Sequence, residues 1–419
     1  MSQVQTPFAP HTKEAVHIML NACSCGDIVS VQTILEQSRQ ISNPPLAASL
    51  QDEETGISPL MAASEAGQLN ICKILLEEGA PWNAIDRYRK CAGNYATEKE
   101  HWDVVNLLVD FGTQSELILG ATVRNMMKSN GMSSVIENNG SDGQNRSIEQ
   151  EPCTKPDYLQ HNVRYNAAET ALLDEDNDAV MMEWERPLME AHASIITGNA
   201  PNRIILNVGF GMGIIDSFIQ TYNPALHVII EAHPIVYQKM IKDGWDKKPN
   251  VRICFGRWQD ELPKLMNEGV MFDGMFYDTY GEHFTDLEDF HSFVSKMLKK
   301  PGGVYSFFNG LAPDNLFFHG VACQCVKLQL ADMGLDSEFA ICQIQVKEKE
   351  WEGVRRKYWH GRDSYYLPVV TWNHEIMLRE HFSSSVATSS NIGNVDKRDV
   401  QSAQIDIEEQ SKKRKEDTF

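Results

Sequence analysis

Long apolar runs are absent from this chain of 419 residues. No stretch reaches the ~18 apolar residues that a membrane-spanning helix needs, so no membrane segment is expected. The start, MSQVQTPFAPHTKE, lacks a basic patch followed by an apolar core, which argues against a secretory signal. The nine cysteines are odd in number and include no CxxC pair. Cys23 and Cys25 are separated by one residue, as are Cys323 and Cys325, and both pairs lie in helical patterns. No zinc-ligand spacing fits, so no metal site is expected, and reduced thiols point to the cytosol or nucleus. Bases are scarce: 38 Lys and Arg stand against 58 Asp and Glu, for a net charge of −20. That balance disfavours nucleic acid or an anionic membrane as partner and suits a basic one, although solubility alone accounts for it as well.

What is present begins with a weak internal repeat over residues 12–128. The clearest unit is TGISPLMAASEAGQLNICKILLEEGA, Thr55 to Ala80, in which Ser58-Pro59-Leu60-Met61-Ala62-Ala63 takes the place of T-P-L-H-x-A. Gly79 and Gly112 are 33 positions apart, as are Ile71 and Val104, which is the ankyrin period. An earlier copy from Gly26 aligns with the one from Gly67 at a spacing of 41, the extra length falling in Asn43 to Glu54. Such units cannot bury their apolar faces alone, so an array this short needs to dock on something. A binding surface and a structural cap on the next domain are equally open. Ser115 to Ser129 reads as one more helix.

Residues 129–157, rich in Asn, Gly, Ser and Glu without periodicity, read as a flexible linker. Tyr158 to Leu173 reads as a helical lead-in with Tyr158 and Tyr165 on one face, and an amphipathic helix runs from Pro187 to about Ile196. Then RIILNVGFGMG, Arg203 to Gly213, is a buried strand ending in a glycine-rich turn that opens a helix. That arrangement holds nucleotide-like ligands, because glycines admit the ligand to the backbone and the helix start presents free N–H groups. NAD, FAD and S-adenosylmethionine all use such a turn.

Further strands are expected at Val228–His233, Val251–Trp258, Phe272–Tyr280 and VYSFF, alternating with helices, which demands a parallel sheet. FAICQIQV (339–346) and SYYLPVVTW (364–372) have no helix between them and are expected to pair antiparallel at the sheet edge. That pair, Pro301-Gly302-Gly303 before the fifth strand, and Asp278 at the end of the fourth favour S-adenosylmethionine over NAD. Glu231, 22 residues after Gly209, suits the ribose of either. The domain spans 158–382, and 383–419 reads as a disordered charged tail whose run Lys412-Lys413-Arg414-Lys415 is either a solvated charge run or a nuclear import signal.

The motifs VGFGM (208–212), Gly256-Arg257-Trp258, YDTY (277–280), KPGG (300–303), YNAAET (165–170) and V-M-x-x-W-E-x-P-x-M (Val180 to Met189) resemble guanidinoacetate methyltransferase. With the ankyrin-like front end and the motifs VMMEWE, GFGMGIID, EAHP, GRWQ and SFFNGL, the chain resembles the type IV protein arginine methyltransferases, which methylate the δ-nitrogen (N5) of arginine. The resemblance implies a class I methyltransferase fold, S-adenosylmethionine as methyl donor, and a protein substrate, basic and ribosomal. It implies a cofactor site of Phe210, Gly211, Met212, Gly213, Ile214 and Ile215 in the turn and helix start. Glu231 would hold the ribose, Ala232, His233, Trp258 and Gln259 would flank the adenine, and Tyr158, Met181 and Met189 would line the pocket. It also implies that Glu185 and Asp278 face the guanidino group. Two carboxylates match the guanidinium fork, and one of them must accept a proton as the methyl transfers. Asp278, one strand end from the turn, is assigned that role and Glu185 the clamp, though the two could exchange. A small-molecule guanidino methyltransferase and an ankyrin adaptor with an inactive methyltransferase fold are the alternatives.

Overall fold

The computed structural model describes residues 13–130, 157–281, 284–359 and 363–375. Most of the expected linker, all of the expected tail and its basic run lie outside them. The N-terminal array consists of α1 (Lys13–Cys25), α2 (Ile28–Arg39), α3 (Pro59–Glu65), α4 (Leu69–Glu77), α5 (Ala92–Glu98) and α6 (Trp102–Asn130). Ser58 caps α3 by accepting from Met61 N–H at 3.2 Å, and Pro59 sits in the first turn, where no N–H is needed. The separate helix expected from Ser115 is instead the second half of α6, which runs unbroken for 29 residues. Gly112 does not terminate it. A Cβ there would lie 2.8 Å from the Trp82 ring, so the glycine serves close packing.

The expected helical lead-in is not helical. Tyr158–Gln160 is a single 3-10 turn, and β1 (Val163–Tyr165), β2 (Ala171–Asp174) and β3 (Ala179–Met182) form a small antiparallel sheet. The cause is turn chemistry. The Asn166 side chain accepts from Thr170 N–H at 2.8 Å, and Glu169 adopts a positive φ of 52°. Asp174 then accepts from the N–H groups of Asp176 and Asp178, both at 2.9 Å, and reverses the chain again. Next come α7 (Arg186–Thr197), with Pro187 in its first turn as expected, and the alternation β4 (Ile204–Val208), α8 (Ile214–Thr221), β5 (Leu226–Glu231), α9 (Pro234–Lys242), β6 (Val251–Phe255), α10 (Trp258–Asn267), β7 (Gly274–Tyr277), α11 (Phe284–Met297), β8 (Val304–Phe307), α12 (Leu316–Asp332), β9 (Leu335–Gln343) and β10 (Ser364–Trp372). Several strands end earlier than expected: β5 stops at Glu231, Trp258 opens α10, Asp278 lies just past β7, β8 stops at Phe307, and β9 covers Leu335–Gln343 instead of 339–346.

The seven-stranded order is β6-β5-β4-β7-β8-β10-β9, with β4 to β8 parallel and β10 antiparallel to both β8 and β9. This is the class I methyltransferase sheet, with the antiparallel pair at the edge as expected. The order reverses at β4, and the crevice beyond its C-terminal end is where open α/β sheets hold ligands.

Helix α12 joins the two halves. Val326 and Leu330 enter the sheet core, while Phe317, Val321 and Cys325 enter the core of the helical array. Burying Phe317 to 6% exposure contributes roughly 2 kcal/mol. A Cβ on Gly93 of α5 would lie 2.1 Å from the Phe317 ring, so only glycine admits that contact. Asn315 Nδ2 donates to Asn94 Oδ1 at 2.7 Å, and Arg124 pairs with Glu288 at 2.7 Å. The short array thus docks on the sheet domain.

Candidate active site

The glycine-rich turn is fixed to the end of β7. Gly209 has φ +92°, and a Cβ there would lie 1.8 Å from the Asp278 carbonyl oxygen, so no other residue fits. Asp278 N–H donates to Val208 O at 2.9 Å. Gly211 has φ +55°, its Cβ position is 2.6 Å from Met181 Sδ, and its carbonyl accepts from the Tyr165 hydroxyl at 2.8 Å. A cavity of about 230 Å³ opens between this turn, β5, α10 and Tyr158.

Tyr158, Met181, Gly211, Glu231, Ala232, Trp258 and Asp278 line the cavity. Glu231 Oε2 accepts from Phe210 N–H at 2.9 Å and Oε1 from His233 N–H at 2.6 Å. The N–H groups of Gly211 and Ala232 also act on this carboxylate, so it is held by four backbone donors. Burial raises the Glu231 carboxyl above its ordinary value, against the pull of these backbone donors. The Tyr158 ring lies 5.0 Å from His233 and 4.8 Å from Tyr280 and closes one wall.

Other residues from the sequence reading lie outside this lining. Phe210, Ile214, Ile215 and Met189 are buried in the core beneath the turn, where the Phe210 ring meets Trp245 edge-on at 5.3 Å. Met212 donates its N–H to Met181 Sδ at 3.3 Å, and Gly213 packs on the Phe210 ring. His233 caps α9, accepting from Ile235 N–H through Nδ1, so Nε2 donates to His161 O at 3.1 Å. Gln259 is half-buried beside Trp258 in the first turn of α10. Thr279 and Tyr280 line the cavity although only their motif stood out in the sequence.

Glu185, 3% exposed, sits at the turn that joins β3 to α7. Its Oε1 accepts from Met182 N–H at 3.0 Å and from the Tyr358 hydroxyl. Both donors converge on one oxygen, and among the described residues none donates to Oε2. Burial lifts the Glu185 carboxyl to about 7, against those two donors. Asp278 faces the cavity but is surrounded by protein. Burial first, and the nearby Glu185 carboxylate second, hold its carboxyl well above the ordinary value. Among the described residues no side chain or N–H donates to the Asp278 carboxylate. The fold therefore places two acids near each other, Asp278 in the cavity lining and Glu185 close enough for its charge to act on it, and among the described residues no cation pairs with either.

Behind them lies a buried polar network that sequence reasoning missed. Ser306 Oγ donates to Pro368 O, so it accepts from His192 Nδ1–H at 2.8 Å. His192 Nε2 then accepts from the Tyr365 hydroxyl at 2.9 Å, and that hydroxyl accepts from Asn309 N–H at 2.7 Å. Every hydrogen is assigned by its neighbours, and burial, pushing His192 down to about 3, keeps it neutral. Tyr365 feels the charge of both Asp278 and Glu185, so this network fixes the wall against which the acids sit. The Tyr358 partner was also invisible, being 173 residues from Glu185.

The sheet order, the cavity at its reversal and the paired acids define a class I methyltransferase. Comparison with known proteins agrees. The family described as guanidinoacetate N-methyltransferase matches residues 147–319, and ankyrin repeats (3 copies) match residues 18–117. "Protein arginine N-methyltransferase 2" of Candida glabrata is 35% identical over 357 residues, covering 77% of this chain and 86% of that protein. The Aspergillus oryzae protein of the same name is 33% identical over 406 residues, covering 85% and 96%. That of Yarrowia lipolytica is 42% identical over 225 residues, covering 52% and 47%. The chain belongs to the protein arginine N-methyltransferase 2 family, a methyltransferase with ankyrin repeats.

Proposed function

We propose that the protein transfers a methyl group from S-adenosylmethionine to the δ-nitrogen of arginine in a protein substrate, basic and ribosomal. The observation that carries this reading is the pair Glu185 and Asp278, three of whose four carboxylate oxygens have no donor among the described residues. A guanidinium offers five N–H donors in a planar fork and is the natural cation for such a pair. S-adenosylmethionine supplies an electrophilic methyl on a sulfonium when bound. The chain's fit to it rests on the backbone space that Gly209 and Gly211 leave and on Glu231, an acid at the end of β5 that lines the cavity.

The residues divide the work by their free oxygens. Glu185 Oε2 can take one terminal N–H. Asp278 has two free oxygens and can bridge an edge of the fork that includes the δ N–H. Held so, the positive charge is drawn towards the terminal nitrogens, and Asp278 takes the δ proton as the nitrogen–methyl bond forms. Its raised proton affinity suits a base for so weak an acid. Orientation in a water-poor site supplies most of the rate. The match to the family described as guanidinoacetate N-methyltransferase supports a guanidino group as the acceptor.

The test is incubation with methyl-labelled S-adenosylmethionine and hypomethylated protein extract. Label in protein arginine is expected, and label only in small molecules would turn the reading to a guanidino-acid enzyme. Asp278→Asn should keep cofactor binding and lose transfer, and near wild-type turnover in that variant would contradict the two-carboxylate scheme.

A further inference from the structure

We infer that Tyr358 is a positioning residue: its hydroxyl, donating to Glu185 Oε1, turns Oε2 towards the arginine and holds the clamp in its ionised form. The inference rests on the reading that an arginine guanidinium lies between Glu185 and Asp278. Tyr358 comes from the irregular segment between β9 and β10, far from Glu185 in sequence. Phenol and main-chain N–H are the two donors to that oxygen, and both favour carboxylate over carboxylic acid.

The segment is anchored on both sides of Tyr358. Arg355 forks onto Asp178, with Nε 3.0 Å from Oδ1 and a second contact from its terminal nitrogen, and its N–H donates to Asn177 O at 2.8 Å. The acidic turn Asp174–Asp178 thereby has a role: it is the counter-charge that fixes the strap. Trp351 and Trp359 are buried, and the Trp184 ring stands 5.7 Å from Tyr358 and 6.1 Å from Trp359. A phenol packed this way has little freedom to turn away from Glu185.

The groups facing Glu185 are Asp278 beyond β7, Tyr358 on the strap and Tyr365 on β10. On its own turn, Glu183 and Arg186 pair with each other on the surface. Tyr358 is thus the titratable donor that opposes both the burial of Glu185 and the repulsion from Asp278. A hydrogen bond to a charged group corresponds to about one to two pH units.

The experiment uses the full-length Tyr358→Phe protein with radiolabelled S-adenosylmethionine and hypomethylated extract. At pH 7, kcat/KM should fall about tenfold, the acid limb of the pH profile should move up by about one unit, and the cofactor dissociation constant should stay within about twofold. Asp178→Asn, which loosens the strap without touching Tyr358, should shift the limb in the same direction by less. A Tyr358→Phe profile superimposable on wild type would overturn the inference while leaving the arginine reading intact. If wild type transfers no label to any guanidine compound, the functional reading fails first, and thermal melts of the ligand-free proteins still decide the positioning. The destabilisation by Tyr358→Phe should grow from pH 5 to pH 8 because the lost donor matters most to the ionised acid. A pH-independent offset would mean that Tyr358 only packs.

Discussion

Glu185→Gln should abolish transfer yet make the ligand-free protein more stable above neutral pH. Burial raises the Glu185 carboxyl from 4.5 to about 7 in the folded protein. In the unfolded chain it titrates at its ordinary value, ~4.3. Below that value both states hold the proton and the group has no effect on stability. As pH rises towards 7, the unfolded chain loses its proton first, so folding is progressively disfavoured. Above 7 the penalty is complete, and a displacement of roughly two and a half units corresponds to about 3 kcal/mol. Gln cannot ionise and escapes this penalty. Its amide oxygen still accepts from Met182 N–H and the Tyr358 hydroxyl, and its NH₂ can donate to Asp278. For a domain of this size, about 3 kcal/mol is a melting-temperature gain of roughly 6–12 °C. Calorimetric melts of the wild-type and Glu185→Gln proteins at pH 5 and pH 8, without cofactor, measure it. The gain should be small at pH 5 and large at pH 8. A variant no more stable than wild type at pH 8 would refute the claim that the acid is strained until a cation arrives.

Other consequences follow from the same geometry. The kcat/KM of the wild-type protein should rise with pH through about 7, as the acid pair gives up its proton to receive the guanidinium, and a flat profile from pH 6 to 8 would contradict this. Gly209→Ala should weaken cofactor binding at least tenfold by calorimetry, because the added Cβ meets the Asp278 carbonyl at 1.8 Å. Gly93→Val should separate α5 from Phe317, lower the melting temperature by several degrees and increase binding of a hydrophobic dye, with cofactor affinity unchanged.

Much of the fold could be read from the chain because its signals are local. Each parallel strand of the large sheet is a short, largely apolar run bounded by turn residues, and the glycine turn, Glu231 and Asp278 all stand at strand ends, where open sheets bind ligands. The lead-in was misread because β1 and β2, of three and four residues, contain too few positions to reveal a period of two. The seven-residue step from Tyr158 to Tyr165 mimics two helical turns. The part played by α12 was hidden because it is apolar on two faces, one for the sheet and one for the array, and so has no polar side to mark its orientation. Its docking also answers the need of a short array for a partner. Within the site, Glu185 and Asp278 stood out through the motifs around them. Their environment did not, since Tyr365, Ser306 and His192 meet only when β10 inserts beside β8, and Tyr358 reaches Glu185 from the segment before β10.

The position of the transferred methyl is the sharpest question to put to the molecule. Labelled product arginine, isolated after reaction with hypomethylated protein and fragmented in the mass spectrometer, reports which nitrogen carries the group. Two acids that hold the terminal N–H groups and the δ N–H in one plane should give δ-methylarginine, and Glu185→Gln and Asp278→Asn should give almost none. Methyl on a terminal nitrogen would contradict that assignment of the oxygens.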